Sequence, residues 1–486
     1  MIELSSIVEA LRSADLLGES TALQVQVASV VEDSRRAEPG ALFCAIEGTA
    51  ADGHDFLADA AARGAVAALV TRRIGLPLPQ VLVRESRLAA GVAAREFYRC
   101  PADRVALVGV TGTNGKSTTV SIIRHLLNGS ESAGSIGTLG AVDGHDNQLP
   151  GYGSLTTPGP VEIQAVLAGL AGRGVTQVAL EASSHGLDQG RLHSLGFRAA
   201  VYTNLTHEHL DYHPDLASYA AAKMSLSTLV EPNGIEVVNA DDRTWDRLPD
   251  RTDIRRVSYG RGPDVTVRAL DEHLSDSGAR CVFRFDNDDH QIELPLLGEY
   301  NVTNALAAAA TTWALGNDPA EVAERLSTTP QVPGRMERLA SGQFTVLRDY
   351  AHTPDGFERA IATVKSVTAG RLLVLFGCGG DRDSDKRPVM GRIATRLTDL
   401  VIITDDNPRT EDPKSIMDDV QQGIGSAEHL RIPDREAAIH KVIGMLHPGD
   451  CLLLLGKGHE TYQIYGTEKM PFDERSIVQA AVRGLA

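Results

Sequence analysis

The sequence lacks the features of several large protein classes. Its five cysteines include no C-x-x-C pair, which fits neither a zinc site nor a disulfide framework and predicts buried free thiols. It lacks a surplus of positive charge, because 47 Lys and Arg face 64 Asp and Glu, and the net charge of −17 argues against nucleic-acid binding. No apolar run reaches the roughly 18 residues of a membrane-spanning helix, and no signal peptide begins the chain. We therefore expect a cytoplasmic protein without membrane insertion.

The length of 486 residues is about three times that of a usual domain, so one hydrophobic core is improbable. Composition shifts and paired prolines place the predicted boundaries after residues 100 and 332, which gives domains at 1–100, 101–332 and 333–486. No internal repeat or low-complexity tract is present. The predicted fold class is α/β, with a small α/β N-terminal domain, a central domain around a parallel sheet and a doubly wound C-terminal domain.

Apolar runs of strand length alternate with helical stretches in the last two predicted domains. In the central one, residues 104–110 form an apolar run that leads through a glycine-rich turn into a helical stretch at about 117–128. The other predicted elements of this domain are strands at 177–180, 200–203 and 235–238, a β-rich stretch at 265–297 and a helix at 301–315. In the last domain the predicted strands are 345–347, 372–376, 400–403 and 451–455.

The glycine-rich turn has the composition of a phosphate-binding loop. It consists of Gly112, Thr113, Asn114, Gly115, Lys116, Ser117 and Thr118. A strand, such a turn and a helix direct backbone N–H groups and the positive end of the helix dipole at a phosphate. Lys116 would reach the terminal phosphates of a nucleotide, and the hydroxyl of Ser117 would bind Mg²⁺. The first glycine of the generic P-loop is replaced by Val110, so the loop is not the common kinase and motor form.

Read together with segments further along the chain, this loop resembles that of the Mur ligase family. The matching segments lie at residues 155–158, 181–187, 203–213, 221–223, 298–304, 334–337 and 349–355. The resemblance implies a three-domain amide ligase that adds amino acids to the peptidoglycan precursor. Its N-terminal domain would bind a UDP-sugar, its central P-loop domain ATP, and its Rossmann-like C-terminal domain the incoming amino acid. The chain has His207 and Glu208 where the family often has Arg-Asp, which leaves the role of Glu208 open.

Within the family, the closest resemblance is to the ligases that add the third residue, a diamino acid, to UDP-N-acetylmuramoyl-L-alanyl-D-glutamate. The tetrapeptide Asp406, Asn407, Pro408 and Arg409 matches the form that accompanies meso-diaminopimelate rather than L-lysine. The distal end of meso-diaminopimelate carries a carboxylate besides its ammonium, and a guanidinium pairs with a carboxylate through two hydrogen bonds. By the same resemblance, the remaining diaminopimelate-binding residues are Arg387, Gly456 and Glu460.

Amide formation from a carboxylate needs prior phosphorylation by ATP, and positive charge must offset the repulsion between the two anions. The resemblance implies two Mg²⁺ ions held by Ser117, Glu181, His209 and Lys223, the last as a carbamate formed with CO₂. It also makes Lys116, Glu181, His209 and Lys223 the candidate catalytic residues. The histidines near His209 alone would suggest zinc, and Lys223 alone would read as an exposed helix end.

The resemblance assigns two more groups of binding residues. ATP would also contact Asn301, Asn304 and Arg335. UDP-N-acetylmuramoyl-L-alanyl-D-glutamate would contact Ser34, Thr156, Thr157, Ser184 and Arg191. A turn alone would explain the Asp-Ser-Arg sequence around Ser34 equally well. The roles of Asp349 and His352 stay open.

Several other functions compete with this one. A P-loop ATPase or kinase would need neither Arg409 nor the segment 456–460, and a non-enzymatic binding module would not need so many metal-binding motifs. A related ligase for L-lysine, or a diverged amide ligase outside peptidoglycan synthesis, differs only in its acceptor. We expect a monomer that binds ATP, the UDP-sugar dipeptide and meso-diaminopimelate and that closes its domains around them.

Overall fold

A computed structural model describes residues 1–20, 24–48, 51–129, 132–151, 155–206 and 212–485. The chain divides into two compact units. The first contains Met1–Ala269, Phe283–His290 and Asn304–Arg325, and the second contains Leu270–Val282, Gln291–Thr303 and Leu326–Ala486. The sheets are described below in chain order, and the boundaries expected at residues 100 and 332 stay predictions.

The first part of the chain forms a five-stranded sheet with the order β2-β7-β6-β5-β4, and β1 pairs with β3. The strands are β1 Ile2–Glu3, β2 Leu17–Ser20, β3 Gln26–Val27, β4 Ser29–Val31, β5 Ala41–Cys44, β6 Ala65–Val70 and β7 Gln80–Val83. The helices are α1 Leu4–Ser13, α2 Leu57–Ala62 and α3 Ser86–Phe97. Helix α1 buries Leu4, Ile7, Val8 and Leu11, the spacing at which one face of a helix meets a core.

A ten-stranded sheet follows, with the order β10-β9-β11-β8-β12-β13-β14-β15-β16-β17. Its strands are β8 Ala106–Thr111, β9 Ala133–Gly137, β10 Gly140–Val142, β11 Gln177–Glu181, β12 Phe197–Tyr202, β13 Val230–Asn239, β14 Arg255–Gly260, β15 Val267–Ser275, β16 Gly278–Phe285 and β17 Asp288–Leu294. The helices are α4 Lys116–Leu127, α5 Pro160–Gly172, α6 Ser184–Asp188, α7 Leu216–Met224, α8 Glu299–Ala314 and α9 Pro319–Leu326. Pairing is parallel from β9 through β11, β8, β12, β13 and β14 to β15, as predicted for the centre of this sheet.

The last part of the chain forms a six-stranded sheet with the order β18-β19-β23-β20-β21-β22, and β24 pairs with β25. The strands are β18 Glu337–Ala340, β19 Thr345–Asp349, β20 Leu372–Phe376, β21 Leu400–Ile403, β22 His429–Arg431, β23 Cys451–Leu455, β24 Tyr462–Tyr465 and β25 Glu468–Pro471. The helices are α10 Pro354–Val367, α11 Lys386–Leu397, α12 Pro413–Ile424, α13 Arg435–Ile443 and α14 Glu474–Arg483. Short 3₁₀ helices elsewhere in the chain are Ser34–Arg36, Gly53–Phe56, Pro101–Arg104, Ser225–Leu229 and Arg243–Arg247.

The six-stranded sheet is buried on both faces. Along β20, Leu372, Val374 and Phe376 enter one apolar cluster, whereas Leu373 and Leu375 enter another. A parallel sheet between two helical layers needs such continuous apolar strands, because neither face meets water. The predicted doubly wound α/β fold is therefore confirmed for this part of the chain.

No helix in the described part of the chain is both long enough and apolar enough to span a membrane. Four of the five cysteines are buried free thiols, as predicted, and the fifth, Cys100, is only partly buried.

Candidate active site

The phosphate loop lies where the central parallel strand β8 ends and helix α4 begins. Gly112 has a φ of +146°, and a Cβ there would lie 1.9 Å from Oγ1 of Thr203, so only glycine fits this position. Nζ of Lys116 donates to the carbonyl oxygens of Gly112 at 2.9 Å and Thr113 at 2.7 Å. The lysine side chain thus lies across the loop in which it was predicted to bind phosphate.

The loop is held by side chains from a neighbouring strand end and from helix α8. The Asn114 N–H donates to Oδ1 of Asn204 at 3.0 Å, and Oγ1 of Thr203 donates to the Asn114 carbonyl at 2.8 Å. A Cβ on Gly115 would lie 2.3 Å from Oδ1 of Asn304, so this predicted ATP residue packs directly against the loop. These contacts fix the loop before a phosphate arrives.

Lys223 lies beside the loop, at the end of helix α7. Its side chain is 1% exposed, Nζ donates to the Gly112 carbonyl at 2.7 Å, and Nζ lies 4.4 Å from the centre of the Tyr219 ring. Tyr219 is itself within hydrogen-bond distance of Oγ1 of Thr113, at 3.1 Å. The alanine-rich sequence, taken alone, suggested an exposed helix end. This end is instead buried, because α7 packs its lysine onto the phosphate loop.

Glu181 ends strand β11 and pairs in register with Val110 of strand β8, so it lies one strand away from the loop. Its side chain is buried, and its carboxylate accepts hydrogen bonds from the Thr138 N–H at 2.8 Å and the Thr138 hydroxyl at 3.2 Å. Thr156 lies 3.0 Å from the same hydroxyl. This set of oxygen atoms matches the ligands that Mg²⁺ prefers.

Among the predicted metal ligands, His209 lies outside the described residues, together with His207 and Glu208. Ser117 is buried in the first turn of helix α4.

The predicted substrate residues Thr157, Ser184 and Arg191 lie together beyond the end of strand β11. Oγ1 of Thr157 donates to the Glu181 carbonyl at 2.7 Å, and Arg191 donates to the Thr157 carbonyl at 2.7 Å. Burial, and then the charge of Arg87, lowers the pKa of Arg191. The Ser184 hydroxyl is buried and makes no hydrogen bond within the described residues, so it offers an unused donor and acceptor.

Ser34 is buried in the 3₁₀ turn that follows strand β4. Asp33 caps this turn by accepting from the Arg35 N–H, and its carboxylate also pairs with the Arg35 guanidinium at 2.7 Å. The structure therefore has the turn that the Asp-Ser-Arg sequence suggested. Among the described residues, Ser34 makes no hydrogen bond to the other predicted substrate residues.

Three acid and imidazole side chains elsewhere in the first unit lie close enough together to hold a metal ion, namely Glu47, Asp52 and His54. Both imidazole nitrogens are already engaged, since Nδ1 lies 2.6 Å from Asp52 and Nε2 accepts from the Thr71 N–H at 3.0 Å. Arg72 pairs with Asp52 and with Glu47. This cluster is a structural ion-pair network.

In the second unit, Arg335 lies beside Tyr350, with the guanidinium carbon 4.8 Å from the ring centre. Asp349 accepts from the Met336 N–H at 2.7 Å and the Ala351 N–H at 2.8 Å, which fixes the turn that carries Arg335. Burial raises the pKa of Asp349, and Arg335 opposes that rise. Asn301 is buried at the start of helix α8 and donates to the Leu297 carbonyl at 2.8 Å.

The residues predicted to bind diaminopimelate follow strands β21 and β23 of the second unit, except Arg387, which lies in helix α11. Asp406, Asn407 and Pro408 are buried, whereas Arg409 is partly exposed and has a φ of +53°. One guanidinium nitrogen of Arg409 donates to the Gly380 carbonyl at 2.8 Å, which is its one side-chain hydrogen bond among the described residues. The rest of its donors point to no described acceptor and are available to a carboxylate.

Arg387 lies near the same turn, because it donates to the Gly379 carbonyl at 3.3 Å. Its guanidinium is 2% exposed and forms ion pairs with Glu411 and Asp419, both at 2.9 Å. Two carboxylates thus already neutralise Arg387. Its guanidinium also contacts the 379–380 turn, and its predicted contact with diaminopimelate stays a prediction.

Glu460 and Gly456 lie in the loop after strand β23. Oε2 of Glu460 accepts from Nδ2 of Asn407 at 2.8 Å and from Nζ of Lys457 at 3.0 Å. The Gly456 N–H donates to the Asp349 carbonyl at 3.2 Å, which places the loop beside the turn of Arg335. The structure therefore brings the two predicted acceptor-binding segments together.

The residue predictions did not include Lys457, Thr138 or Tyr219. Lys457 has a signal in the sequence, because it stands between two glycines directly after a buried apolar strand. Thr138 and Tyr219 have none, since their contacts with Glu181 and Lys223 follow from sheet order and helix packing.

Comparison with known families gives matches in all three predicted parts of the chain. Residues 110–312 match the family model described as "Mur ligase middle domain", and residues 334–458 match "Mur ligase, glutamate ligase domain". Residues 26–95 match "Mur ligase family, catalytic domain".

Individual relatives extend over nearly the whole chain. The UDP-N-acetylmuramoyl-L-alanyl-D-glutamate--2,6-diaminopimelate ligase of Geobacillus kaustophilus is 41% identical over 461 residues, which cover 93% of this chain and 94% of the relative. A solved structure of a ligase with the same name is similar, with a TM-score of 0.71, 30% identity and coverage of 100% of this chain and 99% of that one. The MurF ligase of Thermotoga maritima in complex with ADP shares the fold, with a TM-score of 0.66 at 19% identity and coverage of 94% and 97%.

Proposed function

The chain belongs to the Mur ligase family, and on that premise we propose that it joins meso-2,6-diaminopimelate to UDP-N-acetylmuramoyl-L-alanyl-D-glutamate with consumption of ATP. The enzyme is an ATP-dependent ligase of peptidoglycan precursor synthesis. The observation that carries the choice of acceptor is that a cation, Arg409, and an anion, Glu460, lie on two loops that the hydrogen bond from Asn407 to Glu460 joins.

The charges of this pair match the distal end of meso-diaminopimelate. Arg409 has guanidinium donors for the distal carboxylate, and Oε1 of Glu460 has no hydrogen bond within the described residues and is available to the distal ammonium. L-Lysine would satisfy Glu460 alone. An unpaired charged contact costs on the order of 2–5 kcal/mol, which is enough for strong selection.

The reaction begins when the D-glutamate carboxylate attacks the γ-phosphorus of ATP, forming an acyl phosphate and ADP. The amine of the acceptor then attacks the acyl carbon, and the C–N bond forms as phosphate leaves. Lys116 and the amino end of helix α4 stabilise the charge on the transferred phosphoryl group. When the nucleotide binds, Nζ of Lys116 exchanges the carbonyls of Gly112 and Thr113 for phosphate oxygens.

The oxygen-rich surroundings of Glu181 fit magnesium, and we propose two ions here, held by Ser117, Glu181, His209 and modified Lys223. Magnesium held by these residues would neutralise phosphate charge and orient the γ-phosphate. The buried carboxylate of Glu181 is already held by the Thr138 N–H and hydroxyl, which keeps one face of the group fixed.

We propose that Lys223 is carbamylated. Its neutral amine attacks CO₂, a N–C bond forms, and a proton is released, so that a cation becomes an anion. The position supports this role, because the side chain is buried with Nζ 2.7 Å from the first residue of the phosphate loop. Incubation with ¹³C-bicarbonate should give a carbamate ¹³C signal that is absent in Lys223→Gln and retained in the exposed control Lys441→Gln. An active wild-type enzyme without that signal would rule the carbamate out.

The UDP-sugar dipeptide is proposed to bind Ser34, Thr156, Thr157, Ser184 and Arg191. The unused hydroxyl of the buried Ser184 supports this assignment, because burying an unpaired polar group is costly unless a ligand satisfies it.

The test is phosphate release from ATP. Release should require both the UDP-sugar dipeptide and meso-diaminopimelate, with L-lysine a much poorer acceptor. Arg409→Lys should lower kcat/KM for meso-diaminopimelate by about 10²-fold and leave that for L-lysine little changed. Equal turnover with lysine in the wild type would refute the acceptor assignment, and release without any acceptor would indicate an ATPase.

A further inference from the structure

Lys457 is the most enclosed charged side chain among the residues around the acceptor site. It is 0% exposed, and Nζ lies 2.8 Å from Oδ1 of Asn407, 3.0 Å from Oε2 of Glu460 and 3.6 Å from Oδ1 of Asp406. Two of these oxygens accept hydrogen bonds from the ammonium, and the third, on Asp406, forms a longer ion pair with it. These partners offset the cost of burying a cation.

The partners of Lys457 belong to two separate loops. Asp406 and Asn407 follow strand β21, whereas Glu460 follows strand β23, and Nδ2 of Asn407 donates to the same Glu460 oxygen that Lys457 contacts. The Ile464 N–H also donates to Oδ1 of Asn407. Lys457, Asn407 and Glu460 therefore form a closed ring of hydrogen bonds across the two loops.

The ring also sets the charge that an acceptor would meet. Two carboxylates, Asp406 and Glu460, face one ammonium, so one negative charge is left over when both are ionised. Burial raises the pKa of Asp406, and Lys457 is the largest influence that lowers it. Without Lys457, Asp406 and Glu460 would lose the ammonium that contacts both, and the pKa of Asp406 would rise further.

We propose that Lys457 is a positioning residue of the acceptor site, which holds Asn407 and Glu460 together so that the other oxygen of Glu460 faces the distal ammonium of the acceptor. The inference rests on the proposed function, since it assumes a diamino-acid acceptor. Lys457 acts through Glu460, and the remaining single negative charge suits one ammonium.

The first experiment compares Lys457→Met with Lys441→Met, which removes an exposed lysine from helix α13. Lys457→Met should raise KM for meso-diaminopimelate by about 30-fold, as expected when a buried charged hydrogen bond is lost. The kcat value, and KM for ATP and for the UDP-sugar dipeptide, should stay within about threefold. Lys441→Met should behave as the wild type.

The second experiment uses Lys457→Ala, which leaves a space for n-propylammonium, the fragment from Cγ to Nζ. Adding n-propylammonium should lower KM for meso-diaminopimelate toward the wild-type value. Adding n-butane, an uncharged molecule of similar size, should not. A merely structural lysine would not show this selective recovery.

Either of two results would overturn the proposal. One is an unchanged KM for meso-diaminopimelate in folded Lys457→Met, and the other is an equal rise of KM for all three substrates without recovery by n-propylammonium in the alanine variant. If Lys457→Ala does not fold, the methionine variant decides alone. A wild-type enzyme that does not use meso-diaminopimelate would instead refute the proposed function, so the two failures are distinct.

Discussion

A buried lysine lies at the centre of each of the two candidate sites, and the surroundings of the two lysines differ. Nζ of Lys223 donates to a backbone carbonyl of the phosphate loop, whereas Nζ of Lys457 donates to carboxylate and amide oxygens of side chains, and each lysine also lies near a tyrosine ring. Both lie at the carboxyl ends of parallel strands, where α/β sheets bind ligands. At the first site the buried lysine meets the main chain of a loop suited to phosphate, and at the second it meets polar and charged side chains suited to select an amino acid.

The largest expected effect tests the phosphate site. Lys116→Met should lower kcat/KM for ATP by about 10³-fold, because a preorganised positive charge beside the transferred phosphoryl group is lost. The measurement is the steady-state rate of phosphate release. Lys414→Met is the matched control, since Lys414 also lies in the first turn of a helix but is exposed. Loss of less than about tenfold in Lys116→Met would contradict a phosphate role.

The next effect concerns the framework of the acceptor site. Arg435 is 1% exposed, pairs with Glu474 at 2.7 Å and donates to the carbonyls of Asp405 and Leu455, which precede the two acceptor loops. Glu474→Ala leaves the buried guanidinium without its carboxylate, so we expect a loss of about 3–5 kcal/mol in the free energy of unfolding of the second unit.

Urea denaturation, followed by probes in each unit, measures this loss. The transition of the first unit should not move, and Glu436→Ala, which removes an exposed carboxylate from the first turn of helix α13, should change neither transition. A loss below about 1 kcal/mol in Glu474→Ala would mean that the pair is dispensable.

The first unit should become less stable as pH rises through the titration of Glu32. Burial, and then the charge of Glu162, raises the pKa of this carboxyl from 4.5 to about 7. Between these values the folded chain holds a proton that the unfolded chain has released, so stability is highest below pH 4.5 and is lost as pH rises toward 7.

Glu32→Gln should flatten this dependence and add about 1–3 kcal/mol to the free energy of unfolding above neutral pH. Thermal unfolding as a function of pH measures it. The control is Glu38→Gln, an exposed glutamate that lines the same cavity of about 770 Å³ as Glu32. If the stability of the first unit still falls as pH rises in Glu32→Gln, another group must cause this dependence.

The second unit should show the opposite dependence, with the smallest effect. Burial, and then the charge of Arg335, lowers the pKa of His459 from 6.5 to about 4. Between these values the unfolded chain holds a proton that the folded chain has released. The contribution of His459 to stability is therefore fully present above pH 6.5 and is lost as pH falls toward 4. His459→Gln should reduce that loss by about 1–2 kcal/mol, measured by the same scan of the second unit. An unchanged slope would show that His459 does not titrate there.

Much of this fold follows from short-range sequence patterns. The strands at 372–376, 400–403 and 451–455 were predicted to the residue, because each is a continuous apolar run ended by a glycine, a polar residue or both. Strand β13 was predicted at 235–238 but spans Val230–Asn239, since exposed residues at its start carry no apolar signal. The helix after the phosphate loop was predicted at about 117–128 and spans Lys116–Leu127, because a glycine-rich turn between an apolar strand and a helical pattern marks its start. The binding of phosphate by the loop stays a prediction.

The acceptor network was only partly accessible from the sequence. Asn407 and Lys457 are 50 positions apart, and no local pattern shows that their side chains lie 2.8 Å apart. That contact depends on β20 lying between β21 and β23 in the sheet, which is a property of the whole domain. The burial of Lys223 was missed for the same reason.

The turn of Arg335 meets the loop of His459 through bare main chain. A Cβ on Gly334 would lie 2.2 Å from the His459 nitrogen, and one on Gly458 would lie 2.6 Å from Cβ of Tyr350. A side chain at either glycine would therefore require the neighbouring backbone to move. During evolution the acceptor pocket can change its charged side chains to accept a new amino acid more readily than it can replace these two glycines.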